Sequence, residues 1–398
     1  MERKRMFSQR NWSFPIVFYP FVGVNFLTCG LMFLGNMTIP ILVEEREWER
    51  ELGLMSSLYL IGMVFGRVLG GWLLSRVNNL YALHACIFML VITTLMYGVV
   101  SVPALFLGLR VVQGMVQGVT FSFSDSLVAK VLESTAPRKS DVPEQQFAKG
   151  MGYYSVAGTI SIFAIGYSGL FLMEQIPFHM MYMLVAFVTM VLYIWLSLFI
   201  SKKKEIFLLQ GDKPKWWSFF VLAAIPYGVM AGGIAAVFAV VTTYSEPLSK
   251  EKELFLVVVT IGITLAIVLG RVCAGYMTAR TQTSMIFAMS MVISGTIMLW
   301  KGRDFLAYGA VLMIGLGYGI AIILFFDMLK RQMKPEMIGA AFATFSIVCF
   351  ELMPALAKWL FANEAVQQGY ENSLGLLIGF PISSLILFLL YLGIRKNR

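Results

Sequence analysis

Long apolar runs separated by short polar links repeat along the whole chain. Read from charges and turn residues, the runs lie at 15–43, 52–75, 80–100, 103–130, 147–173, 178–201, 216–244, 254–279, 283–300, 304–329, 337–362 and 373–394. A helix needs about 20 apolar residues to cross the hydrocarbon core. A barrel strand would be about 10 residues long and would alternate in polarity. These runs are long and do not alternate, and a backbone in lipid must satisfy its own hydrogen bonds. The pattern predicts an all-α polytopic membrane protein with 12 transmembrane helices.

Composition agrees with the pattern and narrows it. Of 398 residues, 59% are hydrophobic and 13% charged, against about 25% charged in an ordinary soluble domain. A soluble protein is excluded. The spans leave no room for an added catalytic domain of about 100–150 residues. With the N-terminus placed in the cytoplasm, 21 Lys and Arg fall on cytoplasmic segments and 6 on outer ones. Basic residues favour the cytoplasmic side, so both termini are predicted to be cytoplasmic. The net charge of +9 is then a device of topology, and no nucleic-acid partner is implied. Cys29, Cys86, Cys273 and Cys349 lie inside apolar runs, which argues against a disulfide framework or a metal site. No nucleophile–base set occurs at one depth, so no enzyme is expected. Glycine pairs such as Gly114/Gly118 lack the lysine of a phosphate loop and read as close helix contacts. No oligomerisation signal rises above the apolar background, so a monomer in the bilayer is expected.

An internal repeat divides the chain. Residues 65–77, FGRVLGGWLLSRV, align with 269–281, LGRVCAGYMTART, at a constant offset of 204. Gly66, Arg67, Val68, Gly71 and Arg76 match Gly270, Arg271, Val272, Gly275 and Arg280. Apolar similarity alone would not put two arginines in register. The expected organisation is a six-helix bundle over 1–201, a cytoplasmic linker over 202–215 and a second, pseudo-symmetric bundle over 216–398. Duplicated halves typify secondary transporters.

These features resemble the major facilitator superfamily over nearly the whole length. The stretch Gly70–Leu80 is similar to the family's loop motif after helix two: Gly71, Leu73 and Arg76 match, while Ser75 replaces the usual Asp and Asn78 the usual Gly. The second copy, around Gly275 and Arg280, also lacks the acid. RVVQGMVQG, with Arg110, Gln113, Gly114 and Gly118, resembles the R-x-x-x-G-x-x-x-G pattern of helix four. Residues 150–170 look like helix five of bacterial drug/proton antiporters, with Tyr167 where their signature has proline. Asn25, Phe26 and Pro40 are similar to the same branch, which also includes siderophore and metallophore exporters. The resemblance implies proton-coupled export of a small amphiphilic molecule across a bacterial inner membrane. No cofactor is implied beyond the proton gradient. An uptake or facilitative carrier remains open, as do a lipid flippase and a non-transporting sensor.

Charges inside spans mark where the chemistry would sit, because a charge at mid-bilayer costs at least about 2.5 kcal/mol. Seven fall there: Arg67, Arg110, Asp125, Arg271, Asp327, Glu351 and Lys358. Glu351 is the deepest acid, a proton-coupling candidate or half of a structural ion pair. Lys358, two turns on, or Arg110 would be its partner. Asp125 and Asp327, near-equivalent at an offset of 202, are gate or relay candidates, or headgroup charges held by Lys130 and Lys330. Arg67 and Arg271 would bind helix ends or an acid across the half-interface. Arg110 faces the cavity or a carbonyl of helix one. Arg110 and Lys358 against Glu351 give a cationic bias, hence a carboxylate-bearing or zwitterionic substrate. Phe26, Phe33, Tyr154 and Tyr227 are aromatic candidates for the cavity wall, and each could equally serve packing.

Overall fold

A computed structural model describes residues 16–73, 76–135, 143–201, 221–251, 256–277, 281–302, 304–333 and 338–396. Among them every regular element is a helix. In chain order those of eight residues or more are α1 (Phe18–Glu45), α2 (Leu52–Leu73), α3 (Asn79–Val99), α4 (Pro103–Thr135), α5 (Pro143–Ser161, continuing to Gln175), α6 (Phe178–Ser201), α7 (Ile225–Thr243) and α8 (Leu256–Met277). They are followed by α9 (Thr281–Lys301), α10 (Asp304–Gln332), α11 (Ile338–Ser346, continuing to Gln368) and α12 (Tyr370–Leu377 with Gly379–Lys396).

Eleven of these stretches are long and apolar enough to cross a membrane. At α8, where an eighth span was expected, the apolar run is the shorter Val258–Ala274. In the seventh span the described residues open with an extended Val221 and a 3₁₀ turn, Leu222–Ala224; the expected start at residue 216 lies outside the described residues. The proposed linker 202–215, with Trp216 and Trp217, lies outside the described residues.

Local sequence explains several boundaries. Asn78, where the family motif has Gly, caps α3: its side chain accepts from the backbone N–H groups of Leu80 at 3.1 Å and Tyr81 at 3.3 Å. Such a cap satisfies donors that the first helical turn leaves free. Gly369 turns α11 into α12 at a φ of 83°, a left-handed geometry that glycine adopts without penalty. α5 and α11 each contain one π-helical segment, Ile162–Tyr167 and Ile347–Leu352. In α11 the cause is local. Pro354 follows the segment, and a proline cannot donate to the carbonyl four residues back and crowds it.

Glycines set the tightest crossings. On α2, Cβ atoms at Gly62 and Gly66 would run into the backbone carbonyls of Val111 and Met115 on α4. In return, Cβ atoms at Gly114 and Gly118 would run into Tyr59 and Met63 carbonyls. α8 and α10 repeat this device: Cβ atoms at Gly270 and Gly319 would stand 2.5 Å from the carbonyls of Leu316 and Ile267. Small residues that let backbones approach are the means of helix association in lipid. Gly66→Leu should therefore destabilise the fold by about 3 kcal/mol, seen as a lower melting temperature and a smaller monodisperse fraction on size exclusion. Gly108→Leu, where a Cβ meets nothing within 4 Å, should leave both unchanged.

Candidate functional site

The repeat arginines each reach a helix distant in the sequence. Arg67 on α2 donates from Nε to Glu351 Oε1 on α11 at 2.5 Å. Glu351 is fully buried. Its position follows from the wide turn ahead of Pro354, since it stands within the π segment. Its other oxygen, Oε2, has no hydrogen-bond partner among the described residues. Arg67 has a second acid at hand: its Nη1 is 4.0 Å from Asp125 Oδ2 on α4. Asp125 Oδ1 accepts from the Tyr154 hydroxyl of α5 at 2.9 Å, and that hydroxyl is 2.8 Å from Ser124 Oγ. The guanidinium also faces the Phe121 ring, 5.3 Å from its centroid.

Arg271 on α8 makes the reciprocal crossing to α5. Its Nη1 donates to Ser155 Oγ at 2.7 Å, Thr159 Oγ1 at 2.8 Å and the Ser155 carbonyl at 3.2 Å. The two crossings therefore share a geometry and differ in charge. One is an ion pair; the other joins a guanidinium to neutral oxygens. Arg271 is half-buried, its described partners leave its charge uncompensated, and its Nε has no partner among the described residues.

Arg110 departs from the expectation. It does not face a cavity; it is fully buried among α1, α2 and α3. Its Nε donates to the Met55 carbonyl of α2 at 3.1 Å, Nη1 to the Tyr97 hydroxyl at 3.1 Å and Nη2 to Asn36 Oδ1 at 2.7 Å. The carbonyl it binds belongs to helix two, not helix one. The Tyr97 hydroxyl in turn donates to Gln113 Oε1. The Tyr59 ring lies 4.5 Å from the guanidinium. Lys358 on α11 is buried. It is not the partner of Glu351, which Arg67 holds instead. α11 packs closely on α2 at this level: the Trp359 carbonyl would be 3.3 Å from a Cβ at Gly53.

The other candidates distribute as follows. Asn25 is buried, donates to the Tyr154 carbonyl at 2.6 Å and accepts from Cys29 Sγ at 3.3 Å. It belongs with the Asp125 group. Phe26 and Phe33 are half-buried. Tyr227 lies apart: its hydroxyl donates to Gln332 Oε1 at 2.5 Å and is 2.7 Å from the Tyr391 hydroxyl, tying α7 to α10 and α12. Asp327 pairs with Arg331 one turn on at 2.7 Å, not with Lys330, so it does not share the surroundings of Asp125. Gly71 is buried near the end of α2, and Arg76 is exposed with its guanidinium 4.3 Å from the Trp72 ring centroid. Gly275 lies in α8. Arg280 lies outside the described residues. Sequence reasoning passed over Asn36, Tyr59, Tyr97, Ser155 and Thr159. Asn36 offered a signal, as a second amide beside Asn25 within one apolar span. Tyr59 offered another, standing two turns before Arg67 on the same face.

Buried charges that cross between membrane-spanning helices, on a scaffold without any strand among the described residues, define a multi-pass membrane transporter. The family model of the Major Facilitator Superfamily matches residues 21–357, and the chain belongs to that family. No curated protein matches its sequence. Solved structures share its fold. A mutant of the nucleoside transporter NupG is 12% identical over 94% of this chain and 99% of its own, with a TM-score of 0.70. Unmutated NupG is 12% identical over 96% and 100%, with a TM-score of 0.65. The human organic anion transporter MFSD10 is 13% identical over 94% and 100%, with a TM-score of 0.64.

Proposed function

We propose that this transporter is a proton-coupled antiporter that exports a small amphiphilic molecule by alternating access. The observation that carries the reading is the buried Arg67–Glu351 pair between α2 and α11. Two six-helix halves, 1–201 and 216–398 with 202–215 as the cytoplasmic link, would rock about a midplane site. The pair ties one half to the other while Glu351 is ionised. A proton on Glu351 cancels its charge, and Arg67 then turns to Asp125, 4.0 Å away within its own half. The tie across the halves loosens. Proton entry from the outside and cargo exit become two uses of one residue. Asp125 and its Tyr154 hydrogen bond supply the alternate partner, and Arg271 on the neutral crossing keeps α8 near α5. Asp327, with Arg331 beside it, stays outside this exchange.

Export rests on the resemblance of helix five, and of Asn25, Phe26 and Pro40 in helix one, to drug/proton antiporters, and a bacterial inner membrane on the same resemblance. Nucleosides and organic anions are the cargoes of the structural neighbours, and both are small organic molecules. The test uses inside-out vesicles energised with a proton gradient and loaded with a pH-sensitive acridine dye. A fluoroquinolone zwitterion, an organic monocation, a hydroxamate metallophore and uridine would be added in turn. Substrate-dependent dequenching that disappears in Glu351→Gln is expected. Equal dequenching in Glu351→Gln would remove Glu351 from the proton path. Accumulation with the opposite coupling sign would make the chain an uptake carrier.

A further inference from the structure

Besides Arg271, whose described partners are neutral oxygens of α5, two cations in the membrane interior have no counter-charge among the described residues. Arg110 is bound only by neutral groups: a carbonyl, a phenol and an amide oxygen. Lys358 is 2% exposed and makes no hydrogen bond or ion pair to any described residue. The two acids of this region are committed elsewhere, Glu351 and Asp125 both to Arg67. The third acid within the spans, Asp327, is held by Arg331. Close by, the Tyr59 hydroxyl is buried without a partner. Its ring carries the Arg110 guanidinium on one side and packs in one cluster with Ala355, a turn before Lys358. An uncompensated charge in lipid is expensive, and a buried orphan hydroxyl adds to the cost. Evolution would replace such groups by apolar ones of similar size unless something arrives to satisfy them.

We propose that Lys358 is the anchor of an anion-binding subsite between α2, α4 and α11, with the transported molecule bound there through a carboxylate or another singly charged oxyacid group. Arg110 is locked by three partners and supplies a fixed positive field. Lys358 supplies the mobile ammonium that meets the anion directly. The Tyr59 hydroxyl donates a hydrogen bond to it. The cargo class is thus organic anions and zwitterions, and lipophilic monocations are rejected by the same field. The subsite is separate from the Arg67–Glu351 pair, which lies about two helical turns along α11, or roughly 10 Å. The proposal rests on the transporter reading above and not on its proton coupling.

The experiment is calorimetric titration of the purified full chain with 2-naphthoate, 2-naphthalenesulfonate and 2-naphthamide, which share a ring system and differ in the head. The two acids should bind, and the amide should bind at least about tenfold more weakly, a difference of about 1.4 kcal/mol. Lys358→Met should lose at least about tenfold for both acids, while Lys358→Arg keeps most of their affinity. The titrations are made without a proton gradient, so binding is read independently of coupling, and failure of the coupling scheme and failure of the subsite are told apart. A melting curve confirms that each variant is folded. Equal binding of amide and acids, no binding of either acid, or unchanged affinity in a folded Lys358→Met overturns the proposal.

Discussion

Arg67→Met alone is expected to destabilise the purified protein by about 3–5 kcal/mol, whereas Arg67→Met combined with Glu351→Leu recovers most of that loss. The reasoning starts from where the pair sits. Glu351 is fully buried, and Arg67 Nε is its one described partner, at 2.5 Å. Removing the guanidinium strands a carboxylate in the membrane interior, and breaking a buried pair from one side costs about that much. Removing both members leaves an apolar contact between α2 and α11 with no stranded charge. The four proteins form a double-mutant cycle, read from unfolding in detergent. Asp125→Asn should cost far less, since Asp125 stands at 4.0 Å from Arg67 and keeps its Tyr154 contact. Additive losses in the cycle would mean that the pair is no tie between α2 and α11, and the coupling scheme would lose its latch.

Eleven spans were legible because length and apolar content alone decide whether a helix is able to cross lipid. The repeat was legible for a different reason. Arg67 and Arg271 stand in register at an offset of 204, and their structures match that register: each crosses to α11 or α5. Their partners were not legible. Glu351 lies 284 positions from Arg67, and no local periodicity connects them. Reading along α11 alone favoured Lys358, the nearest opposite charge on the same face, because a single helix shows nothing of what packs against it. The near-equivalence of Asp125 and Asp327 misled in the same way. Their offset in sequence is close to the repeat, yet one accepts from Tyr154 and faces Arg67 while the other pairs along its own helix. The π segments leave no mark in hydropathy; in α11 only Pro354 hints at one.

Arg110 and Lys358 looked alike as sequence, two cations within spans, and their substitutions should now behave in opposite ways. Arg110→Lys is expected to cost about 3–5 kcal/mol of stability, close to the cost of Arg110→Met. A guanidinium presents a planar fork, and this one is used in three directions: to Met55 on α2, Tyr97 on α3 and Asn36 on α1. An ammonium cannot reach all three from α4. Asn36 and the Tyr97 pair would be left without their donor in a dry interior, at about 1–3 kcal/mol for each group stranded. Gly35 shows how closely the fork is fitted, since a Cβ there would lie 3.1 Å from Arg110 Nη1. Lys358→Met removes a cation that no described residue holds, so its melting temperature should stay level or rise. A side chain whose loss stabilises the empty protein while weakening its ligand is retained for the ligand. Melting temperatures of the three variants, taken with and without 2-naphthoate, separate the two roles: Arg110 variants should lose stability in both conditions, and Lys358→Met should lose only the shift that 2-naphthoate gives to the wild type. A drop in stability for Lys358→Met as large as that for Arg110→Met would place Lys358 among the groups that hold the helices together.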